Sequence, residues 1–489
     1  RDKMKSFMKK NSPIDITSND SELVWPILDP IADVKALISW GLTEIPVIGR
    51  LLSMLLGLLW PRTDEDIWNE IVKGVEKLIN EELDAAVYSE IKSHLPGLQE
   101  VITIFLKTVK AGDVSVISAQ FIACNTVFTA TSSIFQNPDY EWILVPLFGV
   151  FAQLHISLLR ESVEHGKEWG WSEKLYQEYI TITKTTIANY VNYLERASEN
   201  YKSTLINYAP NSPGQHMTDI FNYWNKYETL KTLYIKDVQE ILKHMDPVIY
   251  KLPLHFIDFD FDDVFTPALG TADDFDLTCQ SMAEWTKVVY SKPLSTMSKI
   301  YVEYFDGLPR ILDISYEDKM GPRMWNNKNK RVNVVNIIAD RENGVEKQIV
   351  KLPKKNQKEN FPLISADVKI GSIPTLINLN ASNGEKFAIC RRDVGTQKLQ
   401  TYSVKGRRLT TLNMWTLSHF YSDVLGCVIF GFSFEVSVLD SNIEHLNFIT
   451  SLNDNVIHSE FFKSLSSSEQ NDIQDKRNIF WEYIMNIRS

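Results

Sequence analysis

The sequence predicts a chain of two unlike parts, an N-terminal bundle of long helices followed by an all-β domain. Three observations carry that prediction. Apolar residues recur at helical spacing from residue 31 to about 245, and beyond Pro253 the period falls to two. Between Val114 and Leu159 only Asp139 and Glu141 carry charge. At 489 residues the chain is too long for one ordinary core.

The boundaries read from these patterns are an N-terminal arm (1–30), a helical bundle (31–250), a connector (251–280), a β domain (281–440) and a helical tail (441–489). "TDEDIWNEIVKGVEKLINEELDAAVY" opens on Thr63 with an acidic first turn, a good N-cap arrangement, and spaces Ile67, Ile71, Val75 and Leu78 for one helix face. From Ser172, Leu175, Tyr179, Ile182, Thr186, Val191 and Leu194 mark a second long amphipathic helix. A third follows "APNSPGQ" with Ile220, Trp224, Leu230, Leu233, Val238 and Leu242. Long helices joined by short turns pack side by side. The clearest strand is "VIFGFSFEVSVLD", whose Phe430, Phe432, Phe434, Val436 and Val438 share one face; several such short strands argue for a sandwich, barrel or prism.

The uncharged stretch is the most informative one. "VSVISAQFIACNTVFTATSSIFQNP" (114–138) and the run from Trp142 to Leu159 are two consecutive helices of roughly 20 residues, about the thickness of a bilayer's hydrocarbon core. "QNPDYE" links them, so their charges sit at the tip of a hairpin. The first is partly polar through Gln120, Asn125, Thr126, Thr129, Thr131 and Ser132. The second is read as starting near Pro146, a proline suited to a helix's first position, and is apolar nearly all round apart from Gln153, His155 and Ser157. A helix apolar on every side is enclosed by neighbours or immersed in lipid. Uncharged but hydroxyl-rich is an unusual composition for an ordinary bundle helix and a natural one for a pore lining. The candidate insertion residues are therefore Gln120, Asn125, Thr129, Ser132, Pro146, Phe148, Gln153, His155 and Leu158. His155 reads as a core histidine, with a pH switch as its alternative role.

Net charge of -11 argues against nucleic acid as a ligand. Cys124, Cys279, Cys390 and Cys427 form no C-x-x-C, which points away from a zinc site and leaves any disulfide pairing open. The acidic run Asp258, Asp260, Asp262 and Asp263 lacks the glycine and distal glutamate of a calcium loop and reads as a connector or interdomain ion-pair surface. The basic loops "KLPKKNQK" and "KGRR" suggest contact with anionic lipid or a glycan. The candidate receptor contacts are Trp325, Arg323, Lys355, Arg407 and Arg408. No nucleophile elbow, H-E-x-x-H, P-loop or dinucleotide fingerprint is present, so neither an enzyme nor a cofactor is expected. The first residues, "RDKMKSFMKKNSPIDITSND", hold no apolar core of a secretory signal, so the expected route is secretion or release without a conventional signal peptide.

"VPLFGVFAQLHISLLRESVEHGKEWGW" resembles the central-helix block of the pore-forming domain in three-domain Cry insecticidal δ-endotoxins. The match runs through Val145, Pro146, Leu147, Ala152, Gln153, Leu154, His155, Leu158, Leu159, Arg160, Gly166, Trp169 and Gly170. "YWNKYETLKTLYIKDVQEILKHMDPVIYKLPLH" resembles that family's last bundle helix. The N-terminal "ALISWGLTEIPVIGRLLSMLLGLLWP" with "IWNEIVKGVEKLINEELDAA" is closer still to the B component of Pir-type binary toxins. The resemblance covers residues 31 to 255. It implies a seven-helix bundle around a buried central helix, then a prism-like domain similar to Cry domain II. It also implies a pore-forming toxin subunit that acts at a target-cell membrane through a protein or glycan receptor, with a small A-type partner and self-oligomerisation in the pore. The alternatives are a receptor-binding subunit that never inserts and, more weakly, an esterase-like hydrolase. The helical tail departs from the family pattern.

Overall fold

The computed structural model describes residues 23–42, 48–210, 217–250, 259–271, 297–305, 307–316, 346–351, 362–393, 395–419 and 422–434. Trp325, Arg323, Lys355, Asp258, Cys279, Val436, Val438 and the tail 441–489 lie outside the described residues.

The helices run α1 (Ala32–Gly41), α2 (Arg50–Leu59), α3 (Ile67–Ile79), α4 (Ala85–Ala111), α5 (Val114–Thr131), α6 (Glu141–His165), α7 (Glu173–Ile206), α8 (Met217–Lys231) and α9 (Asp237–His244). A π-turn over Thr232–Lys236 joins α8 and α9 into one rod. Local chemistry corrects two sequence assignments. The helix expected from Thr63 begins at Ile67, because the Asp66 carboxylate accepts from Asn69 N and caps it. It also ends early, at left-handed Asn80, and Asp84 caps a separate α4 through Ala86 N and Val87 N. α6 begins at Glu141 rather than near Pro146. The proline falls within the second turn, where its missing N–H forfeits a single bond close to the helix start.

The stripes of α3 and α8 face inward, with Ile71, Val75, Leu78, Trp224 and Leu230 buried. On α7 Tyr179 and Leu194 are buried but Leu175, Ile182, Thr186 and Val191 are half-buried, and the enclosed line runs instead through Thr183, Ile187 and Tyr190. These helices close round α6, on which every residue from Trp142 to Val163 is buried.

The described strands form three antiparallel sheets. β1 (Val264–Phe265), β2 (Leu269–Gly270), β10 (Arg407–His419) and β11 (Ser422–Phe434) make one, ordered β1-β11-β10 with β2 also on β11. β3 (Met297–Phe305), β4 (Leu308–Tyr316) and β5 (Glu346–Lys351) make the second, ordered β4-β3-β5. β6 (Leu363–Ile370), β7 (Pro374–Ala381), β8 (Lys386–Arg391) and β9 (Gln400–Tyr402) make the third, ordered β8-β7-β6-β9. The sheets pack on one another, with β10 against β6 and β11 against β4 and β7, as in a prism. β11 is buried on both faces from Val424 to Phe432, not on one, because neighbouring sheets cover one side and the bundle approaches the other, where Asn225 Nδ2 donates to Phe265 O. Residues 264–270, read from sequence as connector, thus supply two strands. Part of the expected N-terminal arm is also built in: Ile27 bridges Val404 in parallel, and Trp25 packs on Tyr402 and Phe432.

Candidate functional site: an uncharged helical hairpin

α5 starts on Asp113, whose carboxylate accepts from Ser115 N, and two 3-10 turns, Ser132–Gln136 and Pro138–Tyr140, carry the chain into α6. Asn137 caps the second turn through Asp139 N, and Glu141 accepts from Asn200 Nδ2, so the charged tip is tied to α7. Both helices are long and apolar enough to cross a membrane. The most apolar window of α6 is wholly buried, whereas that of α5 is only 28% buried. Val114, Val116 and Ile122 face solvent on α5. An uncharged helix therefore lies on the outside of the bundle.

Several polar side chains of the hairpin are satisfied within their own helix. Thr126, Thr129 and Thr131 donate to the carbonyls of Ile122, Asn125 and Val127, each one turn back, and Ser132 donates to Thr129 O. On α6, Gln153 Nε2 donates to Gly149 O, Ser157 to Gln153 O and Ser162 to Leu159 O. These bonds travel with each helix and lower the cost of placing it in an apolar medium.

Like the bond that Ser118 accepts from Trp171 Nε1, those of His155 leave their own helix. Nε2 lies 2.8 Å from Asn125 Oδ1 on α5 and Nδ1 lies 2.7 Å from Tyr190 Oη on α7. Asn125 Oδ1 accepts only, so Nε2 carries the proton and Nδ1 accepts from the tyrosine O–H. Both nitrogens are satisfied, as a core histidine requires. The ring stacks on Phe128, and Phe128 and Phe135 stack on Phe151, so aromatic contacts bind the hairpin to itself. Another set binds α6 to α7: Trp142 stacks on Tyr201 at 4.1 Å, and Phe148 meets Tyr190 and Tyr193 edge-on. At its charged end α6 holds an Arg160–Glu164 pair at 2.7 Å, and Glu161 Oε2 accepts from Gly49 N at the start of α2.

The structure thus brings Asn125 and His155 into contact and encloses Pro146, Phe148, Gln153 and Leu158, while Thr129 is exposed and Gln120 and Ser132 are half-buried. Sequence reading missed Tyr190, which enters the site from a helix 35 positions away from His155. The stripe read from the sequence ran through Val191 and passed over Tyr190, which is the buried residue of the two.

The "KGRR" turn is corrected. Arg407 is not a surface contact: it is 2% exposed, and its Nη2 binds Asp237 Oδ1 and Oδ2 at 2.7 and 2.6 Å. Lys405 pairs with Asp33 at 3.0 Å, and Arg408 is half-buried. Gly406, at φ 78°, turns this corner against Ala32 and so directs its charges into the bundle, where carboxylates neutralise them. Of the acidic run, Asp262 makes an interdomain ion pair with Lys236 at 2.9 Å, while Asp263 accepts from Ser433 Oγ of β11 at 2.8 Å. Cys124, Cys390 and Cys427 are buried free thiols.

Residues 37–246 match the family described as delta endotoxin, N-terminal domain. Among curated proteins, pesticidal crystal protein Cry9Ca of Bacillus thuringiensis subsp. tolworthi is 25% identical over 224 residues, 43% of this chain and 18% of its own. Cry19Ba of subsp. higo is 27% identical over 218 residues, 42% of this chain and 30% of its own. The chain therefore matches under a third of the length of these relatives. Among solved structures, PirB superposes with a TM-score of 0.61 at 14% identity, over 85% of this chain and 96% of PirB. The B. thuringiensis insecticidal crystal protein Cry7Ca1 superposes with a TM-score of 0.55 at 15% identity, over 83% of this chain and 75% of its own. Residues 37–246 thus match the delta endotoxin N-terminal domain, and over most of its length the chain has the fold of PirB and of Cry7Ca1.

Proposed function

We propose that this chain is the pore-forming subunit of an insecticidal-type toxin, and that the α5–α6 hairpin enters the target-cell membrane after activation. The observation that carries this reading is the pairing of two adjacent span-length helices without charge, one enclosed and one on the surface, within the region that matches the delta endotoxin N-terminal domain. The bundle keeps α6 in an apolar medium, and lipid offers an equivalent one, so the burial worth about 25 cal/mol per Å² is retained on transfer. What separates is the contact with α7: the His155–Tyr190 bond and the ring pairs of Trp142 and Phe148. What travels is the His155–Asn125 bond, the Phe128–Phe151 stack and every hydroxyl already bonded to its own helix.

The β domain selects the surface, with a protein or glycan receptor as its target and Arg408, Trp325, Arg323 and Lys355 as candidate contacts. A small A-type partner and self-assembly in the membrane complete the proposal, which places the chain's action at the host membrane after release from its source cell. Dye release from liposomes tests it, across pH, protease treatment and added small β-rich partner. Release that depends on one of these triggers is expected. Absence of release under all of them would leave a receptor-binding subunit that does not insert.

A further inference from the structure

A chain of buried charges joins the two domains. Lys35 of α1 reaches Asp29 at 2.7 Å and Asp237 at 2.8 Å, and its ammonium also donates to Leu233 O at 2.9 Å within the π-turn. Arg407 of β10 clasps the same Asp237 with both carboxylate oxygens and donates through Nη1 to the carbonyls of Asp262 and Phe432. All four side chains are at most 1% exposed, and the Phe434 ring lies beside both cations. The charges balance only across the domain boundary. The helical side alone buries two carboxylates, Asp29 and Asp237, against one ammonium. A buried charge without a partner is strongly destabilising.

The network also touches the central helix. Asp237 is followed by Val238, whose Cγ2 lies 3.3 Å from where a Cβ on Gly149 of α6 would stand, with Tyr234 O at 3.9 Å from the same point. The residue that Arg407 holds is therefore next to the residue that α6 packs on. π-turns recur where a helix must present a carbonyl or a side chain out of regular register, and here Leu233 O meets Lys35.

We propose that Arg407 is a key supplied by the β domain: seated on Asp237 it completes the charge balance of the bundle and holds α9 against α6, so that displacement of β10 unlatches the bundle at its central helix. This coupling is independent of whether the hairpin later inserts.

Hydrogen exchange of the full-length chain tests it. Arg407→Met should accelerate exchange in Leu233–Leu242 and Leu144–Phe151 by about tenfold to a hundredfold, the range set by one unpaired buried group. Exchange in β6 to β9 should stay unchanged. Adding Asp237→Asn leaves Lys35 balanced by Asp29 and should return both helical segments to within about threefold of wild type. If Arg407→Met does not fold, Arg407→Lys, which keeps the charge but loses the two-pronged grip, should accelerate the same segments by about three- to tenfold. Acceleration confined to β10 and β11, acceleration spread evenly over the chain, a double variant as fast as the single one, or an unchanged Arg407→Lys profile would each overturn the proposal.

Discussion

α5 and α6 share the absence of charge and differ in everything that surrounds them. α6 is enclosed on all sides, so its stability is that of a core: each ring and branched side chain contributes on the order of 2 kcal/mol by leaving water. α5 gives one face to the bundle through Ile117, Phe121, Cys124 and Phe128, and the other, with Val116, Ile122 and Thr129, to solvent. A surface helix of a soluble bundle ordinarily carries charge on its outer face. Keeping charge off a face that water already solvates adds nothing to folding, and under the proposed function it suits that face to lipid. The difference teaches that folding accounts for the composition of α6 by itself, while the composition of α5 is what the proposed insertion step requires.

The same substitution placed on each helix should therefore separate the two roles. Leu154→Asp buries a charge at a site with no solvent access and should abolish folding or cost more than about 4 kcal/mol, visible as lost cooperative melting. Thr129→Asp, on the exposed face, should change stability by less than about 0.5 kcal/mol yet sharply reduce dye release. If both act on melting alike, the contrast fails. Phe148→Ala should cost about 3–5 kcal/mol, since the ring is fully buried between Tyr190 and Tyr193.

Next come the two bonds of His155. Tyr190→Phe removes the bond that insertion must break; it should lower stability by about 1 kcal/mol and speed release. Asn125→Ala removes the bond that travels with the hairpin, and should lower stability by a similar amount while slowing release. Equal effects on release rate would show that the hairpin does not move as a unit.

The smallest effect is one of pH at the helix starts. Hydrogen bonding from Ser115 holds the Asp113 carboxyl below its ordinary value of 3.8, with backbone bonds adding to this. A depressed carboxylate contributes its capping above the unfolded value and loses it as pH falls through the folded one, so the first amides of α5 should open only below about pH 4. α6 has no side-chain cap, so the exchange of its first turn should respond less steeply over the same range.

The hairpin was legible in the sequence because absence of charge is a local property, readable without knowing what packs where. The enclosure of α6 followed for the same reason, since a helix apolar all round admits no solvent face. Helix ends were less legible: Thr63 and Asp66 are both capping residues, and only the backbone decides which one is used. Arg407 was misread because a basic turn looks the same whether it faces water or a carboxylate 170 positions away. Lys35 and Asp237, separated by 202 positions, gave no signal of their pairing for the same reason.

Under the proposed function α6 must leave its neighbours for the chain to act. Gly149 and Val238 are close enough for a disulfide, with the glycine's absent Cβ lying 3.3 and 3.6 Å from the valine methyls. A Gly149→Cys/Val238→Cys variant, tethered by oxidation, should release no dye from liposomes under conditions in which wild type does, and should recover release on reduction. Release at the wild-type rate with the tether intact would contradict the account.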